Sequence, residues 1–514
     1  MPESIRFLLG NELQELSGFD PQMTVLEWLR TRVRRTGTKE GCAEGDCGAC
    51  TVAVGELVDG AMRYRAFNSC IQLLPTLDGK QLVTVEDLAA MEPAGETLHP
   101  VQRAMVDQHG AQCGFCTPGF VMSLFTLFHR PEMQATKGQA TKGQATDRQA
   151  LDRQRIDEAL AGNLCRCTGY APIVRAVVQA MEQAPVDQFS NRQEELVEKL
   201  RPLQRNSMLQ LEYQGRRYFA PRTLADVWEL LRLYPGAQLV AGATDVGLWI
   251  TKQLREFDTV ISLCQVTELQ RIERDEAAGI ITIGAAVTYT DAMGTLLGAF
   301  PGMSRMLTRL GAVQVRNAGT IGGNIANGSP VGDMPPALIA LGARLMLSSS
   351  AGRREIPLEN YFLAYGKQDL QPGECVAAVV LPLPLAGQHY AVYKLSKRFD
   401  QDVSAVCAGF CIRLQDGKVV EARICFGGMA GTPLRAKSTE QALRGQPWND
   451  ETLPQIMTRA RAALAEDYSP LSDWRASREY RLLAAQNLLR RFFLETTSTD
   501  PAQLCSPAKA GTRA

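Results

Sequence analysis

The chain has 514 residues, of which 45% are hydrophobic and 21% charged, the composition of a soluble globular protein with room for three or four domains, each with its own core. Lys plus Arg and Asp plus Glu balance at 55 each, so no basic face for nucleic acid or for an anionic membrane is expected. No apolar run of about 18 residues is present to span a bilayer, and no basic and then apolar leader follows Met1. Fourteen cysteines in that setting point to a reducing, cytoplasmic environment and to metal ligation rather than to disulfides.

Residues 5–9 and 12–16 read as a strand pair turning at Gly10-Asn11. Thr24 is suited to cap a helix over Val25–Arg35 that stops before Gly37. Then comes Gly41-Cys42-Ala43-Glu44-Gly45-Asp46-Cys47-Gly48-Ala49-Cys50, with Cys70 after nineteen intervening residues. C-x4-C-x2-C with a distant fourth cysteine is the plant-type 2Fe–2S ligand spacing. Glycine lets such a loop close over a compact anionic cluster and turn its N–H groups toward the sulfurs. Structural zinc favours two separated cysteine pairs instead. Strand-like stretches at 51–58, 64–67 and 81–85 complete a small mixed sheet, giving a domain over residues 1–85.

From 86 to 181 the pattern turns helical, with segments at His99–His109, Pro118–Phe128, Gln154–Ala161 and Pro172–Met181. They frame Cys113-Gly-Phe-Cys116-Thr-Pro-Gly and Cys165-Arg-Cys167-Thr-Gly-Tyr. In each case a threonine suited to N-cap a helix follows the second cysteine. A helix amino terminus lowers thiol pKa and favours an anionic cluster. Zinc is the competing reading of these four thiols; beside a plant-type loop, a second 2Fe–2S cluster is the better one. A five-residue repeat at 134–147 is too polar to pack and reads as a solvated loop insertion. The four histidines are scattered, so no histidine metal site is expected. Residues 182–212 read as a partly helical linker.

A third region, 213–387, holds Leu239-Val240-Ala241-Gly242-Ala243-Thr244-Asp245-Val246-Gly247, an apolar strand entering a small-residue turn and a helix. A second glycine-rich stretch runs from Arg316 through Thr320, Gly323 and Asn324 to Ser329 and Asp333. Neither is the G-x-G-x-x-G of a Rossmann site. Together they suit the backbone approach that a dinucleotide pyrophosphate needs. Residues 388–494 alternate as an antiparallel sheet at 390–395, 404–413 and 419–426, with helices at Glu451–Ala465 and Ser477–Leu494 covering one face. Cys264, Cys375, Cys407, Cys411 and Cys425 lack ligand spacing and read as core residues. The tail, 495–514 with Cys505, is expected to be mobile.

With both cysteine sets and both glycine stretches in place, the chain resembles, from residue 5 to 494, the iron–sulfur/FAD subunit of the molybdenum hydroxylase family, in its bacterial xanthine dehydrogenase branch. The resemblance implies an α+β multidomain fold: a ferredoxin-like β-grasp domain, a four-helix 2Fe–2S domain, a two-part FAD-binding domain and a carboxyl-terminal α/β domain. It implies one cluster on Cys113, Cys116, Cys165 and Cys167 and another on Cys42, Cys47, Cys50 and Cys70. FAD contacts are implied for Leu239 to Val246, Thr320, Gly323, Asn324, Ser329, Asp333 and, near the flavin ring, Lys394. Ala243 stands where many relatives have asparagine. Arg398 and Asp402 match a charged cluster associated with the flavin's acceptor. The family oxidises its substrate at a molybdopterin centre, which no segment here resembles. A larger molybdopterin-binding partner subunit, a dimer of heterodimers and NAD as acceptor are therefore implied. Xanthine, another N-heterocycle or an aldehyde as substrate, or a stand-alone iron–sulfur flavoprotein carrier, are the alternatives.

Overall fold

In the computed structural model, described for residues 4–90, 98–130, 153–183, 187–449 and 453–497, the amino-terminal strands Ile5–Leu9 and Glu12–Leu16 form the expected hairpin. The repeat at 134–147 and residues 498–514 lie outside the described residues. The hairpin joins Gln81–Val83, Thr51–Val58 and Ala61–Asn68 in one five-stranded sheet, with Leu8 and Leu9 parallel to Gln81 and Leu82. Alternation along Ile5–Leu9 sends Ile5, Phe7 and Leu9 into one core with Trp28 and Leu29, the period-2 rule of strands. Thr24 caps the helix by accepting from the Glu27 N–H. That helix spans Val25–Thr31 rather than reaching Arg35. Its end is set by Arg34, which takes φ 60°, and by Arg35, whose N–H turns back to the Leu29 carbonyl.

Helices Pro100–Asp107, Thr117–Phe128, Arg153–Leu160 and Ala171–Gln183 follow. Phe120, Leu124, Phe125, Ile156 and Ile173 are buried together at their centre. Thr117–Phe128 is apolar nearly all round and buried from Gly119 onward, the signature of an internal helix. The linker region carries helices Gln188–Asn191 and Gln193–Leu200. It leads to a four-stranded sheet ordered Leu209–Tyr213, Arg216–Ala220, Thr259–Ser262, Gln238–Val240. All these elements, with Gly311–Gly319, belong to one compact unit ending at Thr267.

The second unit comprises Glu268–Leu310 and the chain from Thr320 onward. It has a five-stranded antiparallel sheet, Ile272–Asp275, Ile280–Gly284, Cys375–Pro382, Arg344–Ser349, Gly352–Pro357. A separate antiparallel sheet joins Gln388–Leu395, Val406–Gln415, Lys418–Gly427 and the short Leu434–Arg435. Helices Leu453–Asp467 and Arg478–Thr497 bury Ile456, Leu464, Leu489 and Phe492 against Phe410, Ile424 and Phe426 of this sheet. The fully buried helix Met334–Ala340 packs on the same two long strands at Gly409 and Gly427, where a Cβ at Gly409 would come 2.5 Å from the Pro336 carbonyl. Segment 213–387 thus contributes to both units. The architecture is α+β and multidomain, as expected.

Candidate cluster and flavin sites

Cys42, Cys47 and Cys50 lie in the irregular loop before Thr51–Val58, and Cys70 in the turn after Ala61–Asn68. Because those two strands pair from Thr51 with Asn68, the register itself carries Cys70 back to the loop, and the Cys50 and Cys70 sulfurs stand 3.3 Å apart. The Cys42 sulfur accepts from the N–H groups of Cys47, Asp46 and Glu44 at 3.3, 3.4 and 3.5 Å. Gly41 has no room for a side chain: a Cβ there would lie 2.7 Å from the Cys47 sulfur. Gly48, at φ 69°, is required twice, by its backbone conformation and because a Cβ would collide with the Gly162 carbonyl.

The second set gathers at the ends of two helices. Cys113 and Cys167 sulfurs are 3.5 Å apart, and Cys116 hydrogen-bonds Cys165. The expected threonine caps are not formed. Cys116 itself occupies the N-cap of Thr117–Phe128, while the Thr117 hydroxyl is buried without a partner. Thr168 lies three residues before Ala171–Gln183 and serves Cys165 instead, its hydroxyl 3.2 Å and its N–H 3.5 Å from that sulfur. That role was not legible, since the same Cys-Thr dipeptide serves equally as a cap.

The close sulfur–sulfur contacts spread the ionisation of these thiols. The Cys47 and Cys70 contacts hold the Cys42 thiol below the usual thiol range, and the Cys70 contact does the same for Cys50. The same bonds push Cys47 and Cys70 up. Burial and then the bond to Cys165 push Cys116 up to about 12. Burial opposes ionisation at Cys165, yet the Thr168 hydroxyl and N–H outweigh it and bring the thiol to about 7. None of these cysteines is in a disulfide. Among the described residues no three His, Cys, Asp or Glu side chains close around a single metal-ion position. Within each set the sulfurs stand beside one another, an all-thiolate donor set of the kind a 2Fe–2S cluster uses. All-sulfur donors and backbone N–H groups aimed at sulfur fit an iron–sulfur cluster in both places, and at the first set Gly41 adds a wall without a side chain.

The first glycine stretch runs from strand Gln238–Val240 through Ala241–Asp245 into helix Val246–Thr251. Ala243 adopts φ 57°, uncommon for a residue with a Cβ. A Cβ at Gly242 would collide with the Ala318 carbonyl. Cys264, read from the sequence as a core residue, donates its thiol to the Ala241 carbonyl at 2.8 Å. The helix then rests on the cysteine loop: Leu248 packs with Leu26, Cys50, Cys70 and Ile71, and Thr251 Oγ1 donates to the Ala43 carbonyl at 2.8 Å. A Cβ at Gly247 would stand 2.8 Å from Ile71.

In the second unit, Thr320 caps helix Ile321–Ala326 by accepting from the Gly323 N–H at 3.0 Å. Gly323 is exposed, and the buried Oδ1 of Asn324 has no partner. Ser329 accepts from the Val331 N–H. Lys394 is only 6% exposed, which excludes a solvated strand lysine; its Nζ donates to Asp333 at 2.5 Å and to Ser404 at 3.0 Å. The Arg398 N–H donates to the Asp402 carboxylate at 2.8 Å on the exposed loop. Within the second unit, the orphaned Asn324 oxygen is a feature that a bound cofactor would complete.

Comparison with known proteins agrees with this chemistry. Residues 84–178 match the family "[2Fe-2S] binding domain", 211–384 match "FAD binding domain in molybdopterin dehydrogenase", and 391–496 match "CO dehydrogenase flavoprotein C-terminal domain". The chain belongs to the molybdenum hydroxylase family, as its iron–sulfur/FAD region. Relatives include xanthine dehydrogenase of Drosophila subobscura, 30% identical over 85% of this chain and 35% of that protein. Aldehyde oxidase 1 of Bos taurus is 29% identical over 96% of this chain and 39% of that protein. The chain spans about two fifths of the length, or less, of the curated relatives it matches. Among solved structures, quinoline 2-oxidoreductase from Pseudomonas putida 86 superposes with TM-score 0.50 at 28% identity, covering 55% of this chain and 98% of that one. Carbon monoxide dehydrogenase from Hydrogenophaga pseudoflava does so with TM-score 0.50 at 28% identity, covering 53% and 94%. Among the described residues no helix is long and apolar enough to cross a membrane.

Proposed function

We propose that this chain is the electron-transfer subunit of a cytoplasmic xanthine dehydrogenase. It would carry electrons from a molybdopterin centre on a larger partner subunit, through two 2Fe–2S clusters and FAD, to NAD as hypoxanthine and xanthine become urate. The observation that carries the reading is a serial contact inside one compact unit. The Cys165 segment bonds to Cys47 through the Leu164 N–H, and the helix following the first glycine stretch packs on Cys50, Cys70 and Ile71. Two clusters supply one-electron steps and FAD joins them to a two-electron acceptor.

Each residue set has a task in that series. Cys113, Cys116, Cys165 and Cys167 hold the cluster nearer the partner, in keeping with the exposure of Cys113 and Cys167. Cys42, Cys47, Cys50 and Cys70 hold the inner one, with Cys50 and Cys70 shut away from water. In the first unit, Ala241–Asp245 offers backbone to the pyrophosphate of FAD; in the second, Thr320, Gly323, Asn324 and Ser329 are candidate FAD contacts. Asp333 and Ser404 fix the Lys394 ammonium in a buried position, where a positive charge favours negative charge on a nearby flavin ring. Two copies of this chain with two partner subunits would form a dimer of heterodimers.

The xanthine reading rests on the xanthine dehydrogenases among the relatives. A second substrate class, aldehydes or other N-heterocycles, is favoured by similarity to aldehyde oxidase 1 and quinoline 2-oxidoreductase. An anaerobic assay of the purified complex separates them. Xanthine-dependent bleaching of the flavin and iron–sulfur absorbance with NADH formation is expected. Bleaching by NADH but not by xanthine would move the substrate to the second class, and a preparation that stays colourless after iron and flavin reconstitution would overturn the cluster assignment.

A further inference from the structure

Between the two cysteine sets lies a buried polar knot that no cysteine spacing explains. Gln314, on helix Val313–Ala318, is 1% exposed. Its Nε2 stands 3.1 Å from Thr51 Oγ1, 3.2 Å from Ser123 Oγ and 3.2 Å from Asn163 Oδ1. Ser123 donates to Asn163 Oδ1 at 2.6 Å, and Thr51 donates to the Gly48 carbonyl at 2.6 Å. Asn163 Nδ2 donates to that same carbonyl at 3.0 Å. Since both hydroxyl protons are already committed, only the NH2 end of Gln314 can face this group, which fixes the amide orientation. The other end, Oε1, is buried without a hydrogen-bond partner against Gly162, where a Cβ would collide with it.

The members of the knot are the immediate neighbours of the cluster cysteines. Gly48 separates Cys47 from Ala49-Cys50, Asn163 precedes Leu164-Cys165, and Ser123 is on the helix that Cys116 caps. A leucine in place of Gln314 would leave no orphaned oxygen, so burial energy alone does not favour the amide. What the amide does is tie three separate segments to one point, which neither apolar packing nor a single hydrogen bond achieves.

We infer that Gln314 is a positioning residue for electron transfer between the two clusters, holding the Gly48 turn and the Gly162-Asn163 turn at one fixed separation. The inference rests on the cluster assignment above and deepens it. Transfer between centres falls steeply with distance, so a small relaxation of either turn is read directly in rate and in magnetic coupling.

The test uses the full-length, cluster-loaded protein, comparing Gln314→Leu with Asn317→Ala on the same helix. Asn317 docks that helix through a bond to the Ala66 carbonyl at 2.9 Å. In Gln314→Leu, iron content and both reduced-cluster EPR signals should be kept. The spin–spin splitting between the clusters should fall, and electron equilibration between them should slow several-fold. Asn317→Ala should lose thermal stability while the splitting stays as in wild type. Equal thermal losses in the two variants with unchanged splitting in both would overturn the inference and leave Gln314 a packing residue. If Gln314→Leu loses iron, Thr51→Val is measured in its place, because it removes one acceptor of the knot with little change of volume; unchanged splitting there overturns the inference equally. Wild-type protein without two cluster signals would instead overturn the cluster assignment itself.

Discussion

The backbone N–H of Leu164 donates to the carbonyl of Cys47 at 3.0 Å. Leu164 is the residue before Cys165, so one hydrogen bond is the only non-covalent link needed to pass from a cysteine of the plant-type loop to a cysteine of the helical set. Backbone groups cannot be traded away by side-chain substitution, which makes this link a property of the fold. On the far side of the loop, Thr251 and Leu248 bring the first glycine stretch to Ala43 and Cys70. The helical cysteine set, the plant-type loop and the first glycine stretch are thus linked in sequence by direct contacts.

The two cysteine sets share no side chain, so each should be removable alone. Cys113→Ser deletes a thiolate from the exposed end of the helical set, far in sequence from Cys42 to Cys70. Iron content should fall by half, with one EPR signal lost and the other unchanged. Simultaneous loss of both signals would show that the sets are not independent.

Thr168 approaches Cys165 with its hydroxyl at 3.2 Å and its N–H at 3.5 Å. Donors to a cluster sulfur stabilise the more negative, reduced state and raise the potential. Thr168→Val keeps the N–H and the shape but removes the hydroxyl. The helical-set cluster should shift downward by about 40 mV, the one-electron equivalent of roughly 1 kcal/mol for a single hydrogen bond. Redox-poised EPR reads this directly, and an unmoved midpoint would show that the hydroxyl bonds elsewhere.

How much of this was legible depended on how local the chemistry is. Cysteine spacing and glycine turns act within a few residues, and the loop at Cys42 and the turn at Gly242 are where their sequence patterns place them. The hairpin, the helical region and the carboxyl-terminal sheet were likewise written in short-range periodicity. Gln314 was not legible: its partners Thr51, Ser123 and Asn163 lie 263, 191 and 151 residues away in sequence. The buried face of Met334–Ala340 escaped notice because its two prolines and short length look like a turn. His99 and His129, scattered in sequence, meet on one carboxylate, that of Asp187. There they tie helix ends together. The threonine caps failed for a positional reason, since Cys116 took the cap site that Thr117 was expected to serve.

Tyr289 supplies a test on the flavin side. Its ring is buried, its hydroxyl has no hydrogen-bond partner, and burial followed by the charge of Asp333 puts its ionisation well above the usual phenol range. A neutral buried donor without an acceptor is a cost in the cofactor-free protein. Tyr289→Phe should therefore raise the stability of the FAD-free protein by about 1 kcal/mol, seen as a higher melting temperature. If the hydroxyl meets the cofactor, that gain should shrink when FAD is restored. A lower melting temperature for the FAD-free variant would mean that the hydroxyl is satisfied within the protein.

Acid sensitivity should centre on Asp187. Its carboxylate lies 2.8 Å from His99 Nε2 and 2.7 Å from His129 Nε2, all three side chains buried, and it also caps helix Gln188–Asn191 through the Ser190 N–H. Burial alone would raise its pKa, but the His99 bond and the charges of His129 and His99 prevail, and the net shift is downward. A carboxyl whose folded pKa is depressed adds stability that is present above its unfolded pKa of about 3.9 and is lost as pH falls through the lower, folded value. Asp187→Asn keeps a competent cap but leaves the two imidazoles without their shared charge. At neutral pH it should cost about 2 kcal/mol, the range for losing hydrogen bonds to a charged group. The gap between wild type and variant should persist down to mildly acid pH and close below about pH 4, as the wild-type carboxylate takes up its proton. Thermal unfolding followed across that range decides the matter: a gap that stays constant into strong acid would show that the carboxylate charge is not what stabilises this group.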